Sequence, residues 1–302
     1  MSLVGTFSIS QAALRLSRQV PTHRATWDAV ASMRSVRGAT RELQRDDVTG
    51  LRETRFRYPA GMTIRAIFYD AGHTLVRPRP EFDEVWDFLA HQLGIAIHAE
   101  QRTPFPDVAA FFYSRLGEDG LGAYASDRAA RTFWTEYYVH ALRDVAPGLP
   151  RDEIASAGEA LYDWYAEPAQ WQPFPETIAA LEAARARGLV QGVVSDWGSD
   201  LLPILHAHEI TRLMDFVVAS AVVGSSKPHR EIFLYALSRA NVRAEETVYV
   251  GDSYLADVLG SRSAGLHPVL IDRERTSPPI DAPVVQSLVE VLDVVDRLNA
   301  AG

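Results

Sequence analysis

Five short apolar runs punctuate the chain, at 64–69, 190–195, 216–219, 247–250 and 268–271. Each is rich in Val, Ile, Phe or Tyr and too short for a helix, so each reads as a buried strand. Helical periodicity falls between and after them: 175–187 closed by Gly188, 199–208, 229–240, 254–264 closed by Gly265, and a last helix over 284–298. Strands alternating with helices predict parallel pairing with helices on both faces. The expected fold class is therefore α/β, a doubly wound (Rossmann-like) parallel sheet.

One connection breaks this rhythm. Asp70 at the end of the first run and Ser195 at the end of the second are 125 residues apart, far beyond an ordinary crossover. Most of that span, 80–171, carries helical patterns only: 81–93 closed by Gly94, 106–116, 126–145 and 151–165. This predicts an all-helical subdomain inserted after the first strand, leaving an α/β core of 62–79 and 172–302. The insert is rich in aromatics, as in "AAFFYSRL" and "RTFWTEYYVHAL"; packing between helices accounts for most of them, and a few can line a substrate pocket.

Residues 1–61 differ from the rest. They have weak periodicity and ten arginines against five acids, about +5, whereas the whole chain carries −9. They are expected to form a basic extension that the core does not need, with Met62 at the threshold. The acidic balance of the remainder argues against sequence-independent nucleic-acid binding. No window approaches a membrane span, no signal-peptide pattern is visible, and there is no cysteine; together these predict a cytoplasmic protein without disulfides or thiolate chemistry.

The 30 basic residues are 29 arginines and one lysine, Lys227. A chain that uses arginine wherever charge suffices marks its single lysine as a candidate for work needing a compact ammonium. Lys227 lies in the loop after the third strand, "VVGSSKP". Asp70 ends the first strand, Ser195 the second in "GVVSDWGS", and Asp252 and Asp257 follow the fourth in "YVGDSYLAD". Each alone has a bland reading as cap or turn residue. All fall at carboxyl ends of core strands, where open α/β sheets bind ligands.

This set suggests phosphoryl transfer through an aspartyl-phosphate on Asp70. A carboxylate approaching a phosphate dianion needs a cation, so Asp70, Asp252 and a backbone carbonyl of the 71–73 turn, taken as that of Gly72, are candidate oxygen ligands for Mg²⁺. Ser195 would hold phosphoryl oxygens, Lys227 would neutralise charge and order Asp70, and Asp257 would stand behind the metal, orienting Lys227 or a metal-bound water.

"FYDAGHTL", "VVSDWGS", "GSSKPHREIF" and "VGDSYLADVLGSRSAGL" resemble, in order, the four motifs of the haloacid dehalogenase (HAD) superfamily, over about 64–272. The insert resembles the C1-type helical cap of that superfamily. The resemblance implies the roles just given for Asp70, Ser195, Lys227, Asp252 and Asp257, and a Mg²⁺-dependent hydrolase, most simply a phosphatase on a small phosphorylated metabolite. The departure is in motif one. HAD phosphatases usually read Asp-x-Asp-Gly-Thr, whose second acid protonates the leaving group and then activates water; here Gly72 takes that place and His73 the place of the glycine. His73 can be a substitute acid/base, with its ordinary pKa near neutrality, or a turn histidine, since an offset of three from Asp70 sends its side chain elsewhere. Two alternatives stand beside the phosphatase: a non-catalytic phosphate-binding or interaction homologue, and a 2-haloacid dehalogenase, against which the metal-binding acid Asp252 argues. Restoring the acid with Gly72→Asp is expected to raise turnover if the carboxylate fits the turn.

Overall fold

A computed structural model of the chain describes residues 63–103, 105, 111, 124–143 and 145–301. The expected basic extension over 1–61 and most of the helix expected over 106–116 lie outside them. In chain order the elements are β1 (Ala66–Tyr69), β2 (Val76–Pro78), α1 (Phe82–Leu93), α2 (Asp127–Leu142), α3 (Arg151–Ala166), β3 (Trp171–Pro173), α4 (Thr177–Ala186), β4 (Val190–Ser195) and α5 (Leu201–Ala207). There follow β5 (Phe216–Ala219), α6 (Ser220–Val223), α7 (Arg230–Ala240), β6 (Thr247–Gly251), a π-helical turn (Tyr254–Leu259), α8 (Gly260–Ser263), β7 (His267–Ile271), β8 (Val284–Val285) and α9 (Val291–Ala301).

Six strands form one sheet in the order β5-β4-β1-β6-β7-β8, with every adjacent pair parallel. β1 is an all-buried strand whose alternating side chains face two different cores. Ile67 and Tyr69 join Leu181 of α4, Leu201 of α5 and Val295 of α9; Ala66 and Phe68 join Phe233 and Leu237 of α7. This is the physical content of a sheet wound on both faces. Each large side chain buried in this way contributes about 1.5–3 kcal/mol. The chain leaves β1 for β4 and β5 on one side, then returns past β1 to β6 and β7 on the other. The reversal places a crevice at the carboxyl ends of β1 and β6.

The helices between β2 and β3 have a core of their own: Trp86 and Leu89 of α1, Tyr138 and Leu142 of α2, and Ile154 and Leu161 of α3. β2 and β3, which lead into and out of this insert, pair antiparallel with each other. The expected helical insert on an α/β sheet is thus the architecture found. None of the described helices is long and apolar enough to cross a membrane.

Two expectations about elements are corrected. The helix expected over 284–298 begins only at Val291, because Val284 and Val285 extend the sheet as β8: the Leu270 N–H donates to Pro283 O at 2.9 Å and the Asp272 N–H to Val285 O at 2.8 Å. Two β-branched residues after a proline suit an edge strand, and that edge overrides the apparent helical period. The helix expected over 254–264 opens as a π turn, with the Val258 N–H donating to Ser253 O at 3.2 Å.

Candidate active site

Asp70 continues the line of β1, its N–H donating to Val250 O at 2.8 Å, so its position is fixed by the sheet. Its side chain is almost fully buried. Ser195, the last residue of β4, donates its hydroxyl to Asp70 Oδ1 at 2.8 Å. Lys227 comes from the loop after α6 and donates to the same Oδ1 at 2.6 Å and to Asp257 Oδ1 at 2.7 Å. The lysine is 3% exposed. Burial alone would favour the neutral amine, but the carboxylates of Asp257 and Asp70 outweigh it and hold the ammonium well above its ordinary pKa.

Asp257 is placed by the π turn. Ser253 caps that turn, its Oγ accepting from the Ala256 N–H at 3.2 Å, and the Ser253 N–H donates back to Asp257 Oδ2 at 2.8 Å. The carboxylate then lies flat on the end of β6, so close that a Cβ on Gly251 would stand 2.2 Å from it. The glycine before Asp252 is therefore required by close approach. Asp252 follows at once and is half-buried. One carboxylate oxygen from each of Asp70, Asp252 and Asp257 lies within 4.8 Å of the others. Burial, then the charges of Asp257 and Asp70, push the Asp252 carboxyl well above its ordinary pKa. Three carboxyl groups clustered in this way form an all-oxygen donor set that fits a hard divalent cation.

The turn after Asp70 brings Gly72 and His73 to the same cavity. Ala71 O accepts from the N–H groups of Leu75 and Val76 at 2.8 and 3.0 Å. His73 sits in the left-handed region at φ 54°, where glycine is the easier residue. The residue is exposed and borders the cavity that Asp70 also lines.

Several further residues at the site were not singled out in the sequence. Arg273, after β7, donates to Thr74 O at 2.8 Å, to His73 O at 3.3 Å and to Glu176 at 2.6 Å, with its guanidinium 3.5 Å from the Phe174 ring centroid. It clamps the turn that follows the candidate nucleophile. Tyr249 on β6 donates to Val194 O at 2.7 Å and packs its hydroxyl against Lys227 and Asp257. Asp196 accepts the Lys227 main-chain N–H at 2.9 Å; burial pushes its carboxyl up to about 7. Trp197 covers Gly72, where an added Cβ would come within 3.3 Å of the indole. That ring is held in turn by the hydrogen bond of its N–H to Asp200 at 2.9 Å and by an edge contact with Trp171 at 4.6 Å between centroids.

With this geometry in view, comparison with known proteins gives one consistent answer. The haloacid dehalogenase-like hydrolase family profile matches residues 64–265. The haloacid dehalogenase-like hydrolase domain-containing protein 3 of Mus musculus is 32% identical over 256 residues, 80% of this chain and 97% of its own. The glyceraldehyde 3-phosphate phosphatase of Methanocaldococcus jannaschii is 35% identical over 137 residues, 42% of this chain and 58% of its own. Among solved structures, the HAD-hydrolase YfnB of Bacillus subtilis bound to magnesium aligns at a TM-score of 0.61 and 16% identity, over 78% of this chain and 99% of its own. That last likeness speaks for the fold alone.

Proposed function

Since this chain belongs to the haloacid dehalogenase-like hydrolases, we propose that it is a Mg²⁺-dependent phosphatase of small phosphate monoesters, with Asp70 as nucleophile. The observation that carries this reading is the chain of contacts from Asp70 through Lys227 to Asp257, at 2.6 and 2.7 Å, beside the half-buried carboxylate of Asp252. Relatives that act as phosphatases support the reaction class.

Asp70, Asp252 and the carbonyl of Gly72 would hold the cation, with Asp257 behind them. Held there, Mg²⁺ would supply a Lewis acid that offsets the negative charge between phosphoryl group and nucleophile. The protein's own groups do the rest. Lys227 and Ser195 both donate to Asp70 Oδ1, which fixes the carboxylate plane and leaves Oδ2 to attack phosphorus. The Oδ2–P bond forms as the ester P–O bond breaks, and the electron pair leaves on the alcohol oxygen, which takes up a proton. Water then attacks the same phosphorus, loses a proton, and releases inorganic phosphate and the free Asp70 carboxylate.

Gly72 supplies no acid for the first proton and no base for the second. His73 lines the same cavity and is assigned that part, with solvent as the other source. General acid–base help is worth typically 10²–10⁴-fold, so turnover is slow on esters with poor leaving groups and faster on activated aryl phosphates. His73→Ala separates the two sources: a loss of about 10²-fold or more marks the histidine as the proton carrier, and a change of only a few-fold assigns the role to solvent.

The test of the reading is direct. The full chain should release phosphate from an aryl phosphate with Mg²⁺ and lose that activity in EDTA. Asp70→Asn should abolish turnover, and Asp252→Asn should abolish the rise in melting temperature that Mg²⁺ gives the wild type. Halide release from a 2-haloacid in EDTA, with no phosphatase activity, would sink the proposal.

A further inference from the structure

Above the carboxylates the cavity, about 310 Å³, changes character. Trp134, Tyr138, Tyr162 and Tyr165 reach it from the helical insert, Trp171 from β3 and Trp197 from the loop after β4. The indole N–H of Trp171 donates to Tyr165 O at 2.7 Å, and that of Trp197 to Asp200 at 2.9 Å. Both donors are occupied within the protein, so these two rings offer a ligand carbon surface. Burial pushes the phenols of Tyr162 and Tyr165 up to about 12, which keeps both neutral.

Phenols aside, the ionisable groups described around this cavity are mostly carboxyls. Among the described lining residues Lys227 is the only lysine or arginine, and its ammonium is already held between Asp70 and Asp257. Asp196 and Asp200 add carboxyl groups. A substrate carrying a second anion, beyond its phosphoryl group, would meet rings and carboxylates at this wall, with no further lysine or arginine among the described lining residues, which is costly in a recessed site. A planar apolar group would instead find edges and faces at the spacing aromatic pairs adopt, as Trp171 and Trp197 already do at 4.6 Å.

Resting on the phosphatase reading above, we infer that the cavity selects phosphate monoesters whose leaving group is an uncharged aromatic alcohol, seated among Trp134, Tyr165, Trp171 and Trp197. The cavity volume suits a single ring system joined to a phosphoryl group. Aromatic walls also attract quaternary ammonium groups, so a choline ester is the competitor to exclude.

The experiment uses the full chain with Mg²⁺ and three alkyl esters that share a poor leaving group: benzyl phosphate, phosphoglycolate and phosphocholine. kcat/KM for benzyl phosphate should exceed both others by about tenfold or more, the effect of burying one ring. A second arm does not depend on turnover. Calorimetry should give benzylphosphonate a Kd about tenfold below that of phosphonoacetate, and Trp134→Ala should remove that preference while leaving the affinity for inorganic phosphate unchanged. Unchanged phosphate affinity also reports an intact fold. Equal or better use of phosphoglycolate or phosphocholine, or equal binding of the two phosphonates, overturns the inference. Preferential binding of benzylphosphonate without hydrolysis of any ester supports the aromatic pocket and removes the phosphatase reading instead.

Discussion

Lys227 stands between two buried carboxylates, and neither can be left alone. Lys227→Met would leave Asp70 and Asp257 without their partner at 6% and 1% exposure, which costs about 3–5 kcal/mol for breaking a buried pair. Thermal unfolding should show the loss, and Lys227→Arg should not restore it, because a planar fork does not fit the seat of an ammonium. Asp196 predicts a pH dependence of stability. Its folded carboxyl ionises at about 7, its unfolded one near 3.9. Between those values the folded chain keeps a proton on Asp196 that the unfolded chain has lost, so the contribution of this group to stability falls as pH rises through that window. Asp196→Asn keeps an acceptor for the Lys227 N–H and should remove a slope worth up to about 4 kcal/mol, read by urea titration in EDTA from pH ~4 to ~7. Gly72→Asp meets Trp197: the new Cβ presses an indole pinned at 2.9 Å to Asp200. Alone it should cost about 1–3 kcal/mol and leave turnover unimproved; combined with Trp197→Leu it should raise turnover by about 10²-fold. Equal rates for the single and double variants would show that space beside Gly72 is not the obstacle.

At the scale of elements, the end of β6 carries the strictest local demand. Gly251→Ala would drive a methyl into the Asp257 carboxylate, 2.2 Å away. The carboxylate would leave Lys227, and both phosphate release and melting temperature should fall further than in Asp257→Asn, which keeps the shape. Strands and site acids were legible in the sequence for one reason: a strand buried on both faces shows as an apolar run, and its end is where the run meets a polar residue. β1, β4, β5, β6 and β7 lie within two residues of their expected bounds. β8 was not legible, because two valines make no run and only the open edge of β7 gives them a partner. Arg273 was hidden by abundance, since nothing local separates one of 29 arginines from the rest; its role depends on contacts 199 and 200 residues away. Trp197 and Asp196 were in plain view beside Ser195, but whether a side chain covers Gly72 is decided by tertiary packing alone.

At the scale of the molecule, the insert and the sheet are separate cores that meet over the cavity. Among the described residues they are joined by the Trp171–Trp197 ring contact and by several hydrogen bonds. Asp127, at the start of α2, accepts the Ser199 N–H at 2.7 Å; Ser220, just past β5, donates to Tyr124 O at 2.8 Å; His208 lies 3.1 Å from Pro168 O. Ser220 Oγ also accepts the main-chain N–H of Trp197 at 3.1 Å, so the backbone that carries the wall over Gly72 is tied to the same hydroxyl that donates to the insert. Two short paired strands, β2 and β3, are the covalent link. The two cores pack separately, and the hydrogen bonds across the space between them are each worth about 0.5–1.5 kcal/mol. Asp127→Ala removes one of them from an exposed position. Stability should change by less than about 1 kcal/mol, yet KM for an aryl phosphate should rise several-fold with kcat little altered, because the ring-binding wall and not the carboxylate cluster is loosened. A drop in kcat at unchanged KM would mean that this contact serves Asp70 and its partners directly, and that the insert contributes nothing to holding the ester.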